Sequence, residues 1–69
     1  MSYYNDMKKM KIELNDLIQN NKGKTIQLNP LTLQYGQRFG FGKRTILNTL
    51  KDYKDAGQII LYEDSFEVL

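Results

Sequence analysis

Neither cysteine nor histidine occurs anywhere in this 69-residue chain. A chain so short buries only about 60% of the surface it exposes when unfolded. Folds of this size commonly rely on disulfides, a structural metal or a partner chain. The two missing residue types exclude disulfides, Cys/His zinc sites and nucleophile chemistry run through a thiol or imidazole. What remains is good packing of helices and strands, or a second copy of the chain. The composition permits a core: 41% of residues are hydrophobic and 26% charged, too apolar for a disordered segment. The length leaves room for one domain over residues 1–69.

Met1-Ser2-Tyr3-Tyr4-Asn5-Asp6 has no apolar centre of the signal-peptide kind. No apolar run approaches the roughly 20 residues that cross a bilayer. With cysteine absent, the expectation is a cytoplasmic protein with no membrane contact.

Tyr3, Met7, Met10, Leu14, Leu17 and Ile18 recur at three- and four-residue steps, which predicts a helix over about residues 6–20 with Ile12 outside the apolar stripe. Asn20-Asn21-Lys22-Gly23 ends it. A short alternating strand is expected at residues 25–28. Asn29-Pro30 then supplies an N-cap and a first helical residue for a helix over about 30–39. Leu28 and Leu33 stand at the spacing of a hydrophobic staple. Gly40-Phe41-Gly42 reads as a tight turn whose glycines can take positive φ. A third helix follows over about 43–56, with Ile46, Leu50 and Tyr53 as its buried stripe and Gly57 as its stop. Residues 58–69 are β-rich and fold back as a hairpin through Glu63-Asp64-Ser65, without the Asn-Gly or Asp-Gly signature. The fold class is therefore α+β: three helices, a short strand and a C-terminal β-hairpin.

The net charge of +2 hides an uneven distribution. Residues 1–21 are neutral. Residues 22–54 carry Lys22, Lys24, Arg38, Lys43, Arg44, Lys51 and Lys54 against Asp52 alone, a balance of +6. Residues 55–69 carry Asp55, Glu63, Asp64 and Glu67 and no base. A basic centre between neutral and acidic flanks points to a polyanionic partner.

Two helices joined by a glycine turn, then a terminal hairpin, is the order of elements in a winged helix. The stretch Leu33-Gln34-Tyr35-Gly36-Gln37-Arg38-Phe39-Gly40-Phe41-Gly42-Lys43-Arg44-Thr45-Ile46 resembles the helix-turn-helix of winged-helix regulators. A small residue in the supporting helix is followed four residues later by the turn glycine, and a basic pair, a threonine and an aliphatic residue open the recognition helix. Leu50 to Ile59 resembles that family's exit into the wing. The resemblance covers about residues 25–69. It implies sequence-specific binding of double-stranded DNA by a small transcriptional regulator, with residues 43–56 as recognition helix and 58–69 as wing.

The residues support this independently. Opposite the Ile46/Leu50/Tyr53 stripe stand Arg44, Asn48 and Lys51, with Thr45 beside them and Lys43 in the first turn. An α-helix fits the major groove, where arginine pairs bidentately with guanine and asparagine with adenine. The start of the supporting helix offers N–H groups and a partial positive charge to a phosphate. Thr32 can add a hydroxyl there, while Gln37 and Arg38 flank the turn. The expected DNA-binding set is Thr32, Gln37, Arg38, Lys43, Arg44, Thr45, Asn48 and Lys51. The acidic wing turn repels a phosphate backbone and is left out of it.

An exposed polar helix face is also simply how a soluble protein meets water, and winged helices also serve as protein–protein modules. The alternative function is accordingly an adaptor that docks on a replication, partition or transcription assembly. Tyr3, Tyr4, Met7 and Met10 extend the first helix's stripe beyond what a small core requires, so a homodimer through those four residues is expected. Gly23-Lys24-Thr25 lacks the upstream glycine of a P-loop. Glu63, Asp64 and Glu67 lack the further oxygen ligands of a cation loop. No nucleophile, base and orienting group stand in a usable pattern. No enzymatic activity, cofactor, metal or small-molecule effector is expected.

Overall fold

The computed structural model describes the backbone over residues 3–69 and side chains from residue 5 onward. The elements run α1 (Tyr3–Gln19), β1 (Thr25–Gln27), α2 (Leu28–Phe39), α3 (Lys43–Asp55), β2 (Ile59–Leu61) and β3 (Ser65–Val68). The strands form one antiparallel sheet in the order β1-β3-β2. The chain is thus α+β, with three helices and a three-stranded antiparallel sheet, an order compatible with a winged-helix arrangement. No helix among the described residues is long and apolar enough to cross a membrane.

Period-3.6 stripes on the helices meet a period-2 row on the sheet. On β3, Phe66 and Val68 point inward and are fully buried, while Glu67 between them is half-buried. Phe66 stands between Ile26 of β1 and Leu61 of β2, and Val68 lies beside Ile59. Above this row pack Met10, Leu14 and Ile18 of α1, Leu28, Leu31 and Tyr35 of α2, and Ile46 and Leu50 of α3. Burying one such aliphatic or aromatic side chain contributes about 1.5–3 kcal/mol. The core is thus held by apolar packing among helices and sheet.

Several boundaries depart from the sequence expectation. The first helix begins three residues earlier. The second begins at Leu28 with Gln27 at its N-cap, and no side chain caps it. The Leu28 N–H donates instead to the Asp64 carbonyl (2.9 Å), so β-pairing, not Asn29, ends the strand and starts the helix. The staple is not made, because Leu33 is 64% exposed. Of the turn glycines, Gly40 takes φ 79° as the C-cap of α2, with its N–H on the Gly36 carbonyl, whereas Gly42 is extended at φ −76° and ψ 164°. The small residue at Gly36 has a steric reason, since a Cβ there would lie 3.1 Å from the Phe41 carbonyl oxygen. Phe41 itself is buried and pins the turn to the core. The hairpin loop is Glu63-Asp64 alone, closed by the Tyr62 N–H on the Ser65 carbonyl (2.8 Å). Neither loop residue has positive φ, so neither mirror-image turn is used.

Candidate nucleic-acid interface

On α3, Ile46, Thr49 and Leu50 are buried and Tyr53 is half-buried. Thr49 satisfies its hydroxyl by donating to the Thr45 carbonyl one turn back (3.1 Å). With that face held, Arg44, Asn48 and Lys51 are exposed on the other. Among the described residues no side-chain hydrogen bond or ion pair engages these three. At 1.5 Å per residue the stripe from Arg44 to Lys51 is about 10 Å long, the span of about three base steps at 3.4 Å. Asp55 continues the same stripe and closes it with an acid at the last helical residue. Thr45 is half-buried beside it.

Lys43 is exposed, and its ammonium donates to the Asn29 side-chain oxygen (3.1 Å). That bond draws the start of α3 to the start of α2. Asn29 was expected as a cap; its side chain instead bridges the two helices. Gln37 is exposed on α2.

Two of the expected contact residues, Thr32 and Arg38, have partners within the fold. Thr32 is buried, and its hydroxyl donates to the Asn29 carbonyl (3.2 Å). A side chain that closes its own helical turn is not presented to a phosphate. Arg38 forms an ion pair with Glu13 of α1 (2.8 Å), and its guanidinium lies 5.0 Å from the Phe39 ring centroid. Sequence alone gave Arg38 no partner, because Glu13 is 25 residues away and meets it only through helix packing.

The start of α2 also differs from the open anion site expected there. Pro30 has no N–H, and that of Leu28 is taken by Asp64. This places the acidic Glu63-Asp64 turn beside the positive end of α2, where negative charge is stabilising. The acidic hairpin turn thus has a role within the fold.

Folding also disperses the basic block of residues 22–54. Lys22 and Lys24 lie at the far end of the sheet from the hairpin turn, where the Gly23 N–H donates to the Val68 carbonyl (2.7 Å) and the Val68 N–H to the Lys24 carbonyl (2.9 Å). The cations gathered at the start of α3 are Lys43 and Arg44, with Lys51 two turns on.

Of the expected self-association residues, Met10 is wholly inside the core and Met7 is half-buried against it. The three-helix core needs Met10 because Leu14 and Ile18 alone do not reach the first turns of a helix that starts at Tyr3. The side chains of Tyr3 and Tyr4 lie outside the described residues. Comparison with protein-family models, with curated proteins and with solved structures finds no match to this chain.

Proposed function

We propose that the chain is a winged helix-turn-helix protein that binds double-stranded DNA sequence-specifically by laying α3 in the major groove. The observation that carries this reading is the Arg44–Asn48–Lys51 stripe: exposed, about three base steps long, and backed by a helix face locked into the core. Arg44 and Asn48 read base edges, Lys51 and Lys43 neutralise phosphates, and Gln37 with the half-buried Thr45 flanks them. Thr32 is left out of the contact set, because it is buried and bonded within its own helix, whereas Arg38, exposed in its surface pair with Glu13, stays beside the turn as a phosphate contact. The protein then acts as a small transcriptional regulator whose wing stays clear of the duplex.

The acidic turn Glu63-Asp64 favours a second reading, an adaptor that docks on a protein assembly. Selection from random duplexes, followed by a salt titration on the selected site, separates the two. DNA binding predicts an enriched motif and an affinity that falls steeply between about 50 and 200 mM salt through counterion release. No enrichment, or a flat salt profile, refutes it.

A further inference from the structure

Met10 lies in the core and Met7 packs half-buried against it, so the exposed apolar groups elsewhere gain interest. Among the described residues, three of the five large hydrophobic side chains that stay exposed, Ile60, Tyr62 and Leu69, lie on the outer face of the sheet. The pairing puts them together. Ile60 sits opposite Glu67, Tyr62 follows two residues on, just past the end of β2, and Leu69 lies beside Gln58 through its N–H on the Gln58 carbonyl (3.0 Å). Beside this patch runs the free edge of β2, since the strand order leaves β2 with one neighbour, β3.

The ladder decides which backbone groups face outward. Tyr62 bonds Ser65 and Leu69 bonds Gln58, so residues 58, 60 and 62 pair inward with β3. The N–H and C=O groups of Ile59 and Leu61 point away from the sheet. An edge of this kind is a template for another strand unless proline, lysine or a bulge blocks it. The run Gln58-Ile59-Ile60-Leu61-Tyr62 contains neither residue, and its register with β3 runs unbroken.

We propose that the β2 edge is a self-association surface, on which a second copy of this chain pairs antiparallel about Ile60 to give a six-stranded sheet. Charge identifies the occupant. The edge is acidic at one end, at Glu63-Asp64. At the other end Lys22 lines the same hollow as Gly57 and Gln58, while Lys54 and Asp55 at the end of α3 offset one another. Antiparallel pairing about Ile60 brings Tyr62 opposite Gln58 of the second copy and Glu63 opposite Gly57, so each acidic end meets a Lys22 end, twice over. A parallel arrangement would set like charge on like. In this register Ile59 and Leu61 exchange backbone hydrogen bonds with Leu61 and Ile59 of the second copy. The two Ile60 side chains face each other at a non-hydrogen-bonded position, with Cα atoms about 4.5 Å apart, and each has a Tyr62 ring on its diagonal. The interface is small, so the dimer is weak, with a dissociation constant on the order of 100 µM.

Sedimentation equilibrium of the full chain, without DNA, tests this apart from the DNA-binding reading. At concentrations well above that constant the mass should approach twice the 8.1 kDa of one chain. Ile60→Lys sets two ammonium groups face to face and should weaken association about tenfold or more. Circular dichroism checks that its fold is intact. Glu63→Lys and Lys22→Glu should each weaken association about threefold, and the double exchange should restore it. The inference is overturned by a chain that stays monomeric, by a dimer indifferent to Ile60→Lys, or by charge exchanges that fail to compensate. It is equally overturned if Ile12→Lys on the exposed face of α1 abolishes the dimer while Ile60→Lys does not.

Discussion

Two glycines in the turn between α2 and α3 should respond oppositely to serine. Gly42 is the N-cap of α3 at φ −76° and ψ 164°, with no side-chain cap and nothing within 4 Å of where a Cβ would stand. Those dihedrals suit a serine cap, which contributes a few tenths of a kcal/mol over glycine by accepting a bond from a first-turn N–H. Losing glycine's freedom in the unfolded chain contributes about 0.4–1 kcal/mol more. Gly42→Ser should therefore stabilise the protein by roughly 1 kcal/mol and raise Tm by about 4–8 °C. Gly40 is equally open around its Cβ position, but its φ is 79°. A serine there costs about 1–2 kcal/mol through the clash of Cβ with its own backbone. Urea unfolding followed by circular dichroism at 25 °C measures both variants, and they should lie about 2–3 kcal/mol apart. If Gly42→Ser destabilises, or Gly40→Ser is neutral, the assignment of cap and left-handed turn to these positions is wrong.

Arg44→Ala and Asn48→Ala should each cost about 1–3 kcal/mol of affinity for the selected duplex and relax base choice at distinct positions. Lys51→Ala should weaken all duplexes alike and lower the salt slope by about one; quantitative gel shifts across a mismatch panel measure both effects. Met10→Ala should destabilise by about 2–5 kcal/mol as a core deletion, whereas exposed Ile12→Ala should stay within about 0.5 kcal/mol; equal urea midpoints would contradict the placement of Met10. Burial, helped by the charges of Glu13 and Asp16 and opposed by Arg38, raises the Tyr35 pKa above its ordinary value. The folded state thus holds its proton longer than the unfolded state, so this stabilisation is complete below about pH 10 and is lost as pH rises through the folded value. Tyr35→Phe should flatten the alkaline fall in stability, read from urea midpoints across that range.

Much of the site was legible before the fold was known, because it depends on one helix. Arg44, Asn48 and Lys51 share a face by the 3.6-residue period alone, and Ile46 and Leu50 determine which face that is. The acidic hairpin turn was legible as a charge feature but not as a neighbour of α2, since only the β1–β3 pairing brings Asp64 to Leu28. Leu33 departs from its expected place for a related reason. Its spacing from Leu28 fits a staple, but with Leu28 as the first helical residue it falls on the outer face.

Sequence by itself determined the elements: three helices, a strand and a hairpin, the glycine turn at Gly40, and a polar stripe on α3. Each rests on periodicity, capping chemistry or turn preference within a few residues. Tertiary structure alone decided where the side chains are spent. It drew Arg38 onto Glu13, closed Thr32 onto Asn29, tied Lys43 to the side chain of Asn29, sank Met10 into the core, and sent Lys22 and Lys24 to the far end of the sheet. Charge counted along a chain sums over neighbours in sequence. Electrostatics and burial act between neighbours in space, and in so short a chain almost every apolar group of the helices is needed to close one core.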